Sequence, residues 1–122
     1  MLKLDKVVKV GKLFSLYNSL LTEKQQEMVK LYYYHDLSLG EIAKQQEISR
    51  QAVYDNLKRA EKSLQKYEEK LNLATYFDVV QMEIDKLTNS IDKIRPKLNQ
   101  EEAEEIDEIL AQLKTYQEGE LE

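Results

Sequence analysis

The sequence predicts an all-α protein: a helix-turn-helix bundle followed by a C-terminal helical hairpin or extension. The chain of 122 residues contains 3 Gly and 1 Pro, and so few helix-breaking residues favour long helices. Apolar residues recur every three or four positions in one segment after another, which is the spacing of a buried helix face. Residues 38–60 also contain two helix-start signals close together, as expected of two helices joined by a tight turn.

The first two helices are predicted over residues 4–21 and 23–34. Five apolar side chains of the first helix have the spacing of one wide buried stripe: Leu13, Leu16, Tyr17, Leu20 and Leu21. Thr22 and Gln25 form a capping box, in which two side chains satisfy the N–H groups at a helix start, and this opens the second helix. In that helix we expect Tyr32 to lie in the core and the next two tyrosines to be partly exposed.

The helix-turn-helix is predicted to begin each of its helices at an N-cap serine, Ser38 and Ser49. Ser38 forms a capping box with Glu41, which starts the first helix of the motif. From Ser49 the second helix is predicted to continue to about Leu71, because no helix breaker precedes Asn72. The apolar positions of the two helices predict a core that consists of Ile42, Ala43, Ile48, Val53, Leu57, Ala60 and Leu64.

The outward side of the second helix carries hydrogen-bond donors that suit DNA. Such donors contact phosphates and base edges when a helix of this kind enters the major groove. The candidate DNA-binding residues are Ser49, Arg50, Gln51, Tyr54, Lys58, Arg59 and Lys62. Two acidic residues oppose this interpretation: Asp55 lies on the same face, and Glu47 occupies a turn position where glycine is common. Many all-helical domains contain two helices and a short turn, so the motif alone does not give the function.

The C-terminal third is predicted to form two amphipathic helices on either side of Pro96. A heptad-like seam runs along the first of them, over residues 77–95, and consists of Phe77, Val80, Ile84, Leu87, Ile91 and Ile94. Asn99 and Glu102 indicate the start of the second helix, and residues 119–122 are expected to fray. These helices bury their apolar faces only against each other, the preceding domain or a second chain. We predict that the seam is the dimerisation element of a homodimer.

The charged residues are distributed unevenly, which predicts two segments with different roles. The whole chain carries a net charge of −5. Residues 1–75 contain 13 Lys and Arg against 10 Asp and Glu, a net charge of +3, whereas residues 76–122 contain 5 against 13, a net charge of −8. Phosphate contacts dominate the affinity for nucleic acids, so we predict a helix-turn-helix domain over residues 1–75 that makes any DNA contact. The acidic tail over residues 76–122 is the predicted dimerisation segment.

The composition lacks the residues and patterns that are typical of an enzyme site, and we expect no catalytic, metal or cofactor site. There is no cysteine, which removes disulfides, thiolate ligands and cysteine nucleophiles. His35 is the only histidine and has no cluster of potential ligands beside it, and the three glycines are isolated, unlike those of a phosphate-binding loop. No apolar run approaches the ~20 residues that span a membrane, and the N-terminal segment lacks the apolar core of a signal peptide. We therefore expect a cytoplasmic protein.

Two resemblances to known families are carried by these residues. Residues 21–64 resemble region 4 of bacterial sigma factors, the part that reads the −35 promoter element. A closer resemblance covers most of the chain: it is similar to the small bacterial YlxM family. That resemblance is carried by the acidic helical tail and by the segments FSLYNSLLTEKQ, SLGEIA, ISRQAVYDNLKRAE and KYEEKL.

The YlxM resemblance implies a DNA-binding or regulatory protein linked to the signal recognition particle pathway. The link is that members are encoded next to the particle's GTPase and its receptor. Carried onto this sequence, the candidate promoter-reading face consists of Ser49, Arg50, Gln51, Tyr54 and Lys58. The sigma regions that engage core polymerase and melt DNA are missing, so we do not expect a working sigma factor. An alternative stays open, in which the same domain binds the particle's protein or RNA without sequence-specific DNA binding.

Overall fold

A computed structural model describes residues 4–117, and all regular secondary structure in this range is helical, as predicted. The helices are α1 (Leu4–Tyr17), α2 (Glu23–Val29), α3 (Leu39–Gln46), α4 (Arg50–Leu71), α5 (Leu73–Ile94) and α6 (Gln100–Gln117). Shorter helical turns follow three of them, at Asn18–Leu20, Lys30–Tyr34 and Arg95–Lys97. The chain divides into two compact units, Met1–Ala74 and Thr75–Glu122. The fraying expected at residues 119–122 concerns residues outside the described range.

The first helix is shorter than predicted, because α1 ends at Tyr17 instead of residue 21. The side-chain amide of Asn18 donates to the carbonyl oxygen of Phe14 at 2.9 Å, so a side chain satisfies a carbonyl that the helix end leaves free. A 3₁₀ turn then redirects the chain, and Leu20 is 51% exposed. The prediction that Leu20 is buried was therefore wrong. Leu13, Tyr17 and Leu21 are buried as predicted, and Val10 and Phe14 join them in the core.

The predicted helix over 23–34 is present, but its last five residues, Lys30–Tyr34, form a π-helical turn. The backbone N–H of His35 donates to the carbonyl of Lys30, five residues earlier, at 3.0 Å. A π turn holds about one residue more than an α turn. Of the three tyrosines, Tyr33, four residues after the buried Val29, is buried, whereas Tyr32 is only partly buried. The prediction that placed Tyr32 in the core and Tyr33 nearer to solvent was wrong.

The helix-turn-helix has the predicted capping and core. Ser38 accepts a hydrogen bond from the N–H of Glu41 at 3.1 Å, and the Glu41 carboxylate accepts one from the N–H of Ser38 at 3.0 Å. These bonds hold the pKa of Glu41 below its usual value. The hydroxyl oxygen of Ser49 accepts from the N–H of Ala52 at 3.0 Å, which caps α4. The buried side chains of the motif are Ile42, Ala43, Val53, Leu57, Ala60 and Leu64, and Ile48 packs against them partly buried.

The turn between α3 and α4 has a left-handed residue at the position where glycine is common. Glu47 has φ 58° and ψ 42°, a conformation that costs a side-chain-bearing residue about 1 kcal/mol relative to glycine. The N–H groups of Glu47 and Ile48 both donate to the carbonyl of Ala43, which closes the helix end.

We expect Glu47→Gly to raise the free energy of unfolding by about 1 kcal/mol, because it removes the left-handed strain at this turn. In a domain of this size the midpoint of thermal unfolding should rise by about 4–8 °C. Thermal melts followed by circular dichroism measure the change. Glu69→Gly, at a right-handed helical position of α4, is the control and should lower the midpoint. A Glu47→Gly midpoint at or below that of the wild type would contradict this account of the turn.

A single residue, Asn72, separates α4 from α5, and its φ of 55° ends α4 in a left-handed conformation. The predicted start of the next helix at residue 77 was therefore late, since α5 begins at Leu73. The hydroxyl of Tyr17 donates to Glu68 Oε1 at 2.7 Å and accepts from the N–H of Leu73 at 3.1 Å. The same Glu68 oxygen accepts from the N–H of Ala74 at 2.9 Å. The Tyr17 hydroxyl and the Glu68 carboxylate thus satisfy the first N–H groups of α5. Burial, and then the hydrogen bond to Glu68, raise the pKa of Tyr17.

In the second unit, hydrogen bonds connect α6 to the beginning of α5 and to the turn that follows α5, so the two helices form an antiparallel hairpin. At one end the side-chain amide of Gln117 donates to the carbonyl of Phe77 at 3.0 Å. At the other end the guanidinium of Arg95 donates to both carboxylate oxygens of Asp107, at 3.1 and 2.9 Å, and holds the pKa of that carboxyl low. The predicted cap of α6 is present, with Asn99 accepting from the N–H of Glu102 at 2.8 Å.

Candidate nucleic-acid interface

The most outward residues of α4 form a stripe directly opposite its buried stripe. The buried residues are Val53, Leu57, Ala60 and Leu64. Two positions earlier in each case, and so about 200° around the helix, lie Gln51, Asp55, Lys58 and Lys62. We call these four residues the outer face of α4. Gln51, Lys58 and Lys62 are exposed and Asp55 is partly exposed, so this face is available to a partner.

Gln51 and Asp55 are joined by a hydrogen bond on the first turns of the outer face. Nε2 of Gln51 donates to Oδ1 of Asp55 at 2.9 Å, the contact expected of a Gln and an Asp four residues apart on a helix. From the sequence, Asp55 is expected to oppose DNA binding and is not among the predicted site residues. The spacing of four residues was the signal that could have identified the pair.

Lys58 is held in place by two neighbours. Its ammonium group lies 5.4 Å from the centre of the Tyr54 ring, within the range of a cation–π contact. It also lies 3.7 Å from Glu61 Oε1, and its side chain is 48% exposed. The partial neutralisation by Glu61 weakens the field that Lys58 presents to an anion. Its exposed half still allows contact with a phosphate.

Glu61 connects α4 to α1 and to the π-helical turn. Its carboxylate accepts a hydrogen bond from the Tyr33 hydroxyl at 2.7 Å and lies 3.1 Å from the ammonium group of Lys6. The hydrogen bond to Glu61 raises the pKa of Lys6. Burial, and then the Glu61 carboxylate, raise the pKa of Tyr33 far above its usual value. Glu61 thus adds polar contacts between α4 and the earlier helical segments, and no local pattern in the sequence indicates them.

The remaining candidates flank the outer face. Ser49 serves as the N-cap of α4. The side chain of Arg50 lies over the start of α3, where its Nε atom is 3.7 Å from the position that a Cβ would take at Gly40. Arg59 is exposed on the other side of α4. The seven predicted residues therefore do not form one stripe, and only Gln51, Lys58 and Lys62 share the outer face.

The hairpin buries some of the predicted dimerisation residues and leaves others exposed. Ile84 is buried, and Phe77, Val80 and Ile91 are partly buried. The other two, Leu87 and Ile94, are 49% and 47% exposed. On α6, Leu110 is buried, while Ile109 and Tyr116 are each 52% exposed. The hairpin thus covers part of the seam and leaves apolar side chains of both helices open to solvent.

The described residues add two observations about other kinds of site. No group of three or more His, Asp or Glu side chains in residues 4–117 is arranged to hold a metal ion. None of the helices in the same range is long and apolar enough to cross a membrane.

Comparison with known proteins identifies relatives of nearly the whole chain. The family model described as "UPF0122: Putative helix-turn-helix protein, YlxM / p13 like" matches residues 4–117. A UPF0122 protein of Halalkalibacterium halodurans is 45% identical over 114 residues, which are 93% of this chain and 99% of the relative. One from Shouchella clausii is 53% identical over 75 residues, covering 62% of this chain and 69% of the relative. One from Bacillus cereus strain AH187 is 51% identical over 88 residues, covering 72% and 80%.

The match extends through both compact units and includes the helix-turn-helix with its two capped helices. It therefore agrees with the resemblance that the sequence motifs carried. The chain belongs to the UPF0122 family of YlxM- and p13-like helix-turn-helix proteins.

Proposed function

We propose that this protein is a non-enzymatic, cytoplasmic regulator that binds duplex DNA through the outer face of α4. The observation that carries the proposal is the position of Gln51, Asp55, Lys58 and Lys62, which point away from the core on a helix whose opposite stripe is fully packed. A helix held in this way presents its first turns to a major groove, as the second helix of a helix-turn-helix does.

The charge distribution supports a modest, salt-sensitive affinity. Residues 1–75 carry a net charge of +3, and Lys58, Arg59 and Lys62 are exposed basic groups on or beside the outer face of α4. Each phosphate contact lowers the slope of log K against log salt concentration by about 0.9. Contacts by these three residues therefore predict a slope of about −3.

A salt titration tests the proposal against its alternative. Fluorescence anisotropy measures the binding of the full chain to a duplex library. The affinity should fall as the salt concentration rises, with a slope of about −3 in log K against log salt concentration, and binding should saturate at one stoichiometry. The alternative is that the helical domain binds the protein or RNA of the signal recognition particle. Duplex binding that stays at non-specific levels, together with tight binding of the particle's GTPase or RNA, would overturn the DNA proposal and favour the alternative.

We further propose that residues 1–75 form the helix-turn-helix domain and that residues 76–122 form the segment through which two copies of the chain pair. Leu87 and Ile94 of α5 and Ile109 and Tyr116 of α6 are about half exposed, and apolar groups of this size are stabilised when a second hairpin covers them.

The expected result is a mass of twice 14.4 kDa in sedimentation equilibrium at micromolar concentration. A chain truncated after Thr75 is expected to be a folded monomer, and it serves as the control. A monomeric mass for the full chain at these concentrations would contradict the pairing.

A further inference from the structure

The hydrogen bond between Gln51 and Asp55 fixes which chemical groups α4 presents. A carboxylate has only acceptor oxygens, so the amide of Gln51 must turn its NH₂ group, and not its oxygen, toward Asp55. The observed contact has this arrangement, with Nε2 of Gln51 2.9 Å from Oδ1 of Asp55. Oε1 of Gln51 and Oδ2 of Asp55 are left as two acceptors, and the second amide hydrogen of Gln51 is left as one donor.

These free groups lie where a base pair would meet the helix. Both residues belong to the outer face, opposite the buried stripe, and they occupy the first two turns of α4. The first turns of the second helix are the part of a helix-turn-helix that reaches base edges. In a duplex bound as proposed, the acceptors would face the groove floor, while Lys58 and Lys62, one and two turns further on, would lie near the phosphates.

We propose that Gln51 and Asp55 form a specificity-determining pair that selects a base with an exocyclic amino group in the major groove. Cytosine N4 and adenine N6 are the donors of that kind, and adenine N7 can accept the remaining amide hydrogen. Guanine and thymine present acceptors at the corresponding edge. These acceptors form no hydrogen bond with the two oxygens of the pair and repel them. The inference rests on the proposed DNA binding and deepens it by naming the bases that are read.

The test is a selection from randomised duplexes with the full chain and the variant Asp55→Asn. For the wild type we expect cytosine or adenine to be preferred over guanine or thymine by about 10-fold at one or two adjacent positions. In Asp55→Asn the new amide can donate as well as accept, so the orientation of Gln51 is no longer imposed. The preference at these positions should then be lost, while the rest of the selected site is unchanged.

The chain supplies a matched control in α5. Gln81 Nε2 donates to Asp85 Oδ1 at 2.9 Å, so Asp85→Asn removes the same charge and changes the same kind of hydrogen bond far from α4 in sequence. Its selected site should equal that of the wild type. Circular dichroism of both variants checks that helix content is retained.

The selection distinguishes a failure of the specificity-determining pair from a failure of sequence-specific DNA binding itself. If the wild type enriches no sequence, both the pair and sequence-specific DNA binding are wrong. If it enriches a site that Asp55→Asn leaves unchanged, or that Asp85→Asn alters equally, only the specificity-determining pair is wrong.

Discussion

Replacement of Ile42 by alanine is expected to lower the free energy of unfolding by about 2–5 kcal/mol, the range for truncating a fully buried aliphatic side chain. Ile42 is 0% exposed and lies in α3, which has only eight residues. So short a helix has little stability of its own and depends on packing. The loss of Ile42 therefore removes both the buried side chain and the main support of α3 beneath α4.

Urea denaturation followed by circular dichroism measures this loss of stability. Leu20→Ala is the matched control, because it removes a side chain of similar size that is 51% exposed, and its effect should stay within about 0.5 kcal/mol. Equal costs for the two variants would mean that Ile42 is not part of the core that supports the helix-turn-helix.

The second large effect is expected from Lys58→Ala combined with Lys62→Ala. Both lysines lie on the outer face of α4, and their removal should reduce duplex affinity roughly 100-fold at moderate salt if each makes one charged phosphate contact. The slope of log K against log salt should become less steep by about 1.8, since two phosphate contacts are lost. Glu61 keeps Lys6 and Tyr33 as partners, so the fold should be retained.

The control for this variant is Lys86→Ala combined with Lys93→Ala, which removes the same charge from α5 in the acidic unit. Anisotropy titrations of both double variants at several salt concentrations provide the comparison. If the control weakens binding as much as the α4 variant, the effect comes from total charge and not from the outer face of α4.

The features that were predicted from the sequence are those set by residues close together in the chain. The capping boxes at Thr22 and Ser38 each depend on two side chains three residues apart, and both are present. The buried stripe of α4 follows from a regular spacing that nothing interrupts. Local patterns of this kind determine helix starts and helix faces, so the helix-turn-helix could be placed without knowledge of its neighbours.

The features that were missed depend on hydrogen-bond register or on distant partners. The π turn at Lys30–Tyr34 depends on backbone hydrogen bonds between residues five apart, and an α-helical spacing does not anticipate the extra residue. The carboxylate of Glu61 meets Tyr33 and Lys6, which are 28 and 55 positions away in the chain. Such contacts arise only when helices pack, so the network that Glu61 forms was not visible in the sequence.

Chemical-shift mapping in NMR spectra shows which residues contact DNA, and so tests whether the outer face of α4 is the DNA-binding surface. Titration of the labelled chain with a duplex from the selection should shift the backbone amides of Gln51, Asp55, Lys58 and Lys62 most strongly. The side-chain amide of Gln51 should shift with them. Duplex binding that shifts instead the amides of α5 and α6, or that leaves α4 unchanged, would contradict the account.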